Sequence, residues 1–139
     1  MEVRFNDSGS QKCIDLEGAF SHHTEMSEIE QEIQEHCARN RELLKLIASK
    51  GDDAAVSRPI DLHFWASNES AAWKLSAALE QRGYFPVSTN RSIDDPSLWN
   101  VEASIEASPL SVATPSFVET VVQLAYEHHA TFDGWGTLI

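Results

Sequence analysis

Apolar residues recur along this chain with two different periods, and the switches between them lay out its elements. From Ser27 onward, Ile29, Ile33, Cys37, Leu43, Leu44 and Ile47 keep one side of a helix apolar, which predicts a helix over 27–50 ended by Lys50-Gly51. Ser27 followed three residues later by Glu30 has the form of a capping box. Ile60, Leu62 and Phe64 then alternate with Asp61, His63 and Trp65, the pattern of a half-buried strand over 60–66 whose second set faces away from the core. Ser67 or Asn68 caps a helix over 69–82, with Ala72, Leu75, Ala78 and Leu79 inward and Gly83 as its stop. Residues 84–89 read as a short strand, and Pro86 puts it at a sheet edge because proline has no N–H to give a neighbouring strand. The clearest alternation in the chain, over 98–106, turns Trp99, Val101, Ala103 and Ile105 inward. Thr114-Pro115 opens a last helix with Phe117, Val121, Leu124 and Ala125 as its stripe, running to His128-His129. In the tail, Asp133, Gly134 and Gly136 predict a tight turn that holds Trp135, followed by a short final strand over 137–139.

Helix, strand, helix, strand, strand, helix, strand is the order of an α+β protein. It matches a ferredoxin-like βαββαβ sandwich with an antiparallel sheet and an additional N-terminal helix. Residues 1–26 have no clean period and read as a flexible arm, which leaves 27–139 as one domain with its leading helix at 27–50. In this topology the first and third strands are central. Asp61, His63 and Trp65 then lie beside Asn100, Glu102, Ser104 and Glu106 on the face turned away from the two packed helices. The leading helix must bury its apolar side somewhere, and this face is one place for it. A homodimer would cover the same surface equally well.

Charge narrows the functions open to such a fold. The 139 residues carry 22 Asp and Glu against 10 Lys and Arg, a net charge of -12. Such a surface repels phosphate backbones and anionic lipids, so direct binding to nucleic acid or membrane is disfavoured and a basic protein surface is the partner steered in. Sheet faces that read RNA combine stacking aromatics with cations, whereas here one aromatic sits among carboxylates. The first residues lack the basic start and apolar run of a secretory signal, and no stretch approaches the ~20 apolar residues of a membrane span. Cys13 and Cys37 are too few for a disulfide framework. A cytoplasmic protein is expected.

Several residues invite a reactive reading. His128, His129 and Asp133, with Asp94 and Asp95, suggest as an alternative a small metal- or ligand-dependent enzyme. Adjacent residues on a helix point about 100° apart, however, so His128 and His129 do not readily share one ion, and no metal or cofactor is expected. Cys37 and His36 diverge for the same reason, which makes a buried thiol the simpler reading. Phosphate loops and nucleophile elbows are absent from the sequence, so nothing in it supports catalysis. Trp135 reads either as a plug closing the core or as an exposed anchor for a partner, and Asp133 either as a turn former or as a partner for a basic side chain.

The long leading helix, the strand His63-Phe64-Trp65-Ala66, the helix ending Gly83-Tyr84, and above all Phe132-Asp133-Gly134-Trp135-Gly136-Thr137 resemble the B-type regulators of ribonuclease E activity (RraB) over about residues 27–139. The resemblance implies an acidic α+β domain that is not an enzyme, binds ribonuclease E and inhibits its cleavage of RNA. On that reading the partner-contacting residues are Asp133, Gly134, Trp135 and Gly136 with Asp61, His63, Trp65 and Glu102. Family members continue into a strongly acidic tail, whereas this sequence stops at Ile139. If that tail contributes to binding, weaker binding or another partner is expected here.

Overall fold

In the computed structural model, which describes residues 2–4 and 27–138, helix α1 (Glu28–Ser49) starts where the capping box predicts. The Ser27 hydroxyl accepts from Glu30 N at 3.1 Å and the Glu30 carboxylate accepts from Ser27 N at 3.2 Å, so two helix-end amides are satisfied reciprocally. Its buried seam departs from the expected one. His36, Asn40, Leu43 and Ile47 are buried, while Ile29, Ile33 and Cys37 pack only partly against the core and Leu44 is half-buried. The four share one face at helical spacing, and the two polar members find partners on the sheet, so polarity did not keep them out.

Strand β2 (Arg58–Ala66) follows a loop clamped by Arg58, whose guanidinium donates to both carboxylate oxygens of Asp52 at 2.8 and 3.2 Å. Helix α2 (Glu69–Gln81) is capped by the Asn68 side chain and ends before Gly83, whose φ of 96° favours glycine. The edge strand begins later than expected, as β3 (Val87–Arg91), and pairs with β4 (Trp99–Ala107). A four-residue turn of helix, α3 (Pro109–Val112), was not foreseen, and α4 (Pro115–Glu127) follows with the Thr114 hydroxyl accepting from Phe117 N. The expected arm, 1–26, lies outside the described residues apart from a three-residue strand, β1 (Glu2–Arg4), which the sequence reading did not anticipate.

The tail corrects its own prediction. Instead of a turn and a short strand, Ala130–Leu138 is one continuous nine-residue strand, β5. Along β2 its register shifts between His63 and Phe64, so that Gly134 faces His63, Phe132 faces Phe64, and Asp133 is the extra residue of a β-bulge. Gly134 takes a φ of 125° there. The bulge lets Phe132 and Trp135, three apart, point to the same side. That breaks the period of two, which is why the segment looked like a turn.

The strands form an antiparallel sheet in the order β1-β5-β2-β4-β3. Ile60, Leu62, Phe64 and Ala66 on β2, all fully buried, lie against Val101 and Ala103 on β4 and Phe132 and Trp135 on β5. Helices α2 and α4 cover this side through Ala72, Leu75, Leu79, Val118, Val121 and Val122. Helix α1 packs beside α4 on the same side, so it does not cover the face of Asp61, His63 and Trp65.

Candidate partner-binding surface

The residues anticipated at the functional surface divide between the two sides of the sheet. On the side turned away from α2 and α4, register sets Asp61 opposite Ser104, His63 opposite Glu102 and Trp65 opposite Asn100. The Ser104 hydroxyl donates to Asp61 Oδ1 at 2.6 Å, which holds that carboxylate in one orientation. His63 Nδ1 stands 3.0 Å from Glu102 Oε2; the histidine is buried while Glu102 keeps 43 % of its side chain exposed. Asp61 and Trp65 are half-buried and Glu106 is exposed. Across β2 on the β5 side, Gly134 faces His63 and Gly136 faces Asp61, so two positions of the face carry no side chain at all. Asp61, Glu102 and Glu106 give this side negative charge. Among the described strands β2 to β5, the two arginines belong elsewhere: Arg58 is engaged by Asp52, and Arg91 lies 5.3 Å from the Trp99 ring centre on the helix-covered side.

Trp135 belongs to the other side. It is 2 % exposed, lies across from Leu62, and its Nε1–H donates to Asn40 Oδ1 at 2.8 Å. The anchor reading of Trp135 is therefore corrected to the core plug: the indole fills the space between β5 and α1, and the bulge at Asp133 turns it there. Gly134, Gly136 and His63 are likewise buried, which leaves Asp61, Trp65, Glu102 and Asp133 as the anticipated contacts with accessible surface.

A second polar contact ties the same seam. His36 is 3 % exposed, its Nε2–H donates to the Phe132 carbonyl at 3.0 Å, and its ring stacks at a tilt on the Phe132 ring. Burial, reinforced by the nearby charge of Arg39 and opposed by the bond to Phe132, pushes its pKa down to about 3, so the imidazole is neutral at physiological pH. Sequence reasoning missed His36 and Asn40 because it looked for apolar residues. The signal was available in the spacing, since both fall on the helical face of Leu43 and Ile47.

The alternative reactive set is not brought together. Asp95 closes the β3–β4 hairpin by accepting from Ser97 N and Oγ, and these bonds hold its carboxyl below the ordinary range. His128 Nδ1 sits 3.0 Å from the Leu124 carbonyl, and His129 makes the turn into β5 with a φ of 57°. Among the described residues, no three His, Cys, Asp or Glu side chains converge in a group that would hold a metal ion. No described helix is long and apolar enough to cross a membrane.

What the fold and surface define is an acidic α+β protein that presents a polar, carboxylate-bearing sheet face. The family model for the regulator of ribonuclease activity B matches residues 37–137, so the chain belongs to this family, whose members regulate RNA degradation. Comparison with curated proteins returns no match.

Proposed function

We propose that this protein binds ribonuclease E, or a similar endoribonuclease, and inhibits RNA cleavage without catalysing a reaction itself. The observation that carries the reading is the sheet face turned away from α2 and α4, with Asp61, Glu102 and Glu106 on it, while along β2 to β5 both arginines are engaged elsewhere. Nucleases hold RNA through lysine and arginine, so a rigid acidic protein surface competes with RNA for the same groove. Family membership supports RNA degradation as the setting, with a nuclease as the protein partner and the cytoplasm as the compartment where the two meet. The strand order β5-β2-β4-β3, with α2 and α4 on one side, supports a ferredoxin-like domain over 27–139 to which α1 is added. Asp61, Trp65, Glu102 and Asp133 are its accessible contacts. Trp135, with Gly134 and Gly136, shapes that surface from beneath. A homodimer through the same face would exclude the nuclease.

The test is cleavage of a labelled RNA by purified ribonuclease E with increasing amounts of this protein, at low and at physiological salt. Inhibition that weakens as salt rises is expected, because screening shortens the reach of exposed charges. Unchanged cleavage at micromolar excess would refute the proposal.

A further inference from the structure

Resting on the reading that the partner is a protein, we infer that the outer edge of β3 is a docking edge for a basic, extended segment of that partner, which adds as a further strand. β3 is the last strand of the sheet, and among the described residues nothing pairs with its outer side. The ladder to β4 fixes which backbone groups face outward. Ser104 N donates to the Pro86 carbonyl at 3.1 Å and Ser92 N donates to the Leu98 carbonyl at 2.9 Å, so the even-numbered residues turn their polar groups toward β4. By the alternation of antiparallel pairing, Val87, Thr89 and Arg91 turn their N–H and C=O groups outward. Proteins usually guard such an edge with lysine, an inward charge or a bulge. Between Val87 and Arg91 the guard is slight: Ser88 and Asn90 are uncharged and exposed, the pairing to β4 is regular, and the one charge, Arg91, lies over Trp99 on the helix-covered side, with Pro86 just before the strand.

The edge is also held rigid, which lowers the entropic cost of adding a strand. The hydroxyls of Ser76 and Thr89 lie 2.6 Å apart and tie the strand to α2. The Arg91 guanidinium rests on Trp99, and the hairpin beyond is closed by Asp95, which accepts from Ser97 N and Oγ. Exposed apolar side chains stand at both ends, Phe85 at 80 % and Ile93 at 93 %. On the helix side, Trp73 is 55 % exposed and lies three residues before Ser76, on the flank of α2 nearest β3.

Charge selects the occupant. Glu69 and Glu80 share that flank of α2, Asp94 and Asp95 stand at the hairpin, and the whole chain carries -12. A second copy would bring the same negative charge to the edge. A segment alternating lysine or arginine with apolar residues meets carboxylates, lays its stems on Trp73, and pairs its backbone with β3.

The experiment measures binding of two ligands by calorimetry and amide exchange: full-length ribonuclease E, and a ten-residue synthetic peptide alternating Lys or Arg with Val. The proteins are the wild type, the edge variant Ser88→Lys/Asn90→Lys, and Trp65→Ala on the face turned away from α2 and α4, each first checked for an unchanged Tm. Both ligands are expected to slow exchange of the Val87, Thr89 and Arg91 amides at least 10-fold. The edge variant should weaken both at least 10-fold, and Trp65→Ala should leave peptide binding within 2-fold. Nuclease binding that leaves these amides unprotected and the edge variant unaffected overturns the docking edge but not the proposed function. Peptide protection of the edge without nuclease binding upholds the edge and overturns the choice of nuclease. Failure of both ligands overturns both proposals, and protection that grows with protein concentration alone replaces the basic segment with a second copy.

Discussion

Lowering the pH from 7 to 5 is expected to destabilise this protein through His36 in particular. Its ring is buried between α1 and β5, with Nε2–H committed to the Phe132 carbonyl and no room for a hydrated charge. The unfolded chain takes up a proton at the ordinary value of 6.5, whereas the folded chain refuses it until about pH 3. Stability from this group is therefore complete above about pH 6.5 and falls as the pH drops from there toward 3, because the unfolded state alone gains the proton. Each pH unit well inside that window costs about 1.4 kcal/mol, and the interval from pH 7 to 5 costs about 2 kcal/mol once the partial protonation near 6.5 is included. Against a typical domain stability of about 5–15 kcal/mol, that is a measurable fraction. The assay is urea unfolding, followed by tryptophan fluorescence, of wild type and His36→Gln at both pH values. Glutamine keeps a donor for the Phe132 carbonyl but does not titrate, and the carboxylates contribute to both proteins alike. Wild type should lose about 2 kcal/mol more than the variant over this interval. Equal losses, or a native His36 that titrates near 6.5 by NMR, would refute the reasoning.

Replacing Trp135 by Phe leaves Asn40 Oδ1 buried without its donor beside an Nδ2 that already has no partner among the described residues, so a loss of about 1–3 kcal/mol in chemical denaturation is expected. A variant as stable as wild type would show that the bond contributes nothing. Gly134→Val forces a β-branched residue to a φ of 125° at the bulge, and a drop of several degrees in Tm checks it; the same substitution at Gly136, which has no positive φ, separates strain from lost space. Glu106→Lys, at an exposed position of the face turned away from α2 and α4, should weaken inhibition of ribonuclease E several-fold with Tm unchanged, and undiminished inhibition would count against that face.

Much of the surface was legible before the structure. The alternation of Ile60, Leu62 and Phe64 with Asp61, His63 and Trp65 holds residue by residue, and the pairing of His63 with Glu102 follows from two strands being neighbours in register. The position of Trp135 was not legible. Its side depends on one extra residue in β5, and a bulge leaves no periodic trace that distinguishes it from a turn.

Sequence by itself determined the helix starts, the alternation of β2 and β4, and the sign of the surface. Caps at Ser27, Asn68 and Thr114 are satisfied within a few residues of themselves, hydrophobic period selects helix or strand, and net charge is a plain sum. Tertiary structure alone decided where α1 docks, and with it the fate of His36, Asn40 and Trp135. Those residues are joined by contacts across 95 and 96 positions of chain, between an imidazole and a backbone carbonyl and between an indole and a carboxamide. Polar side chains enter a core when a partner meets them there, and that partner is known only after the chain has folded back on itself.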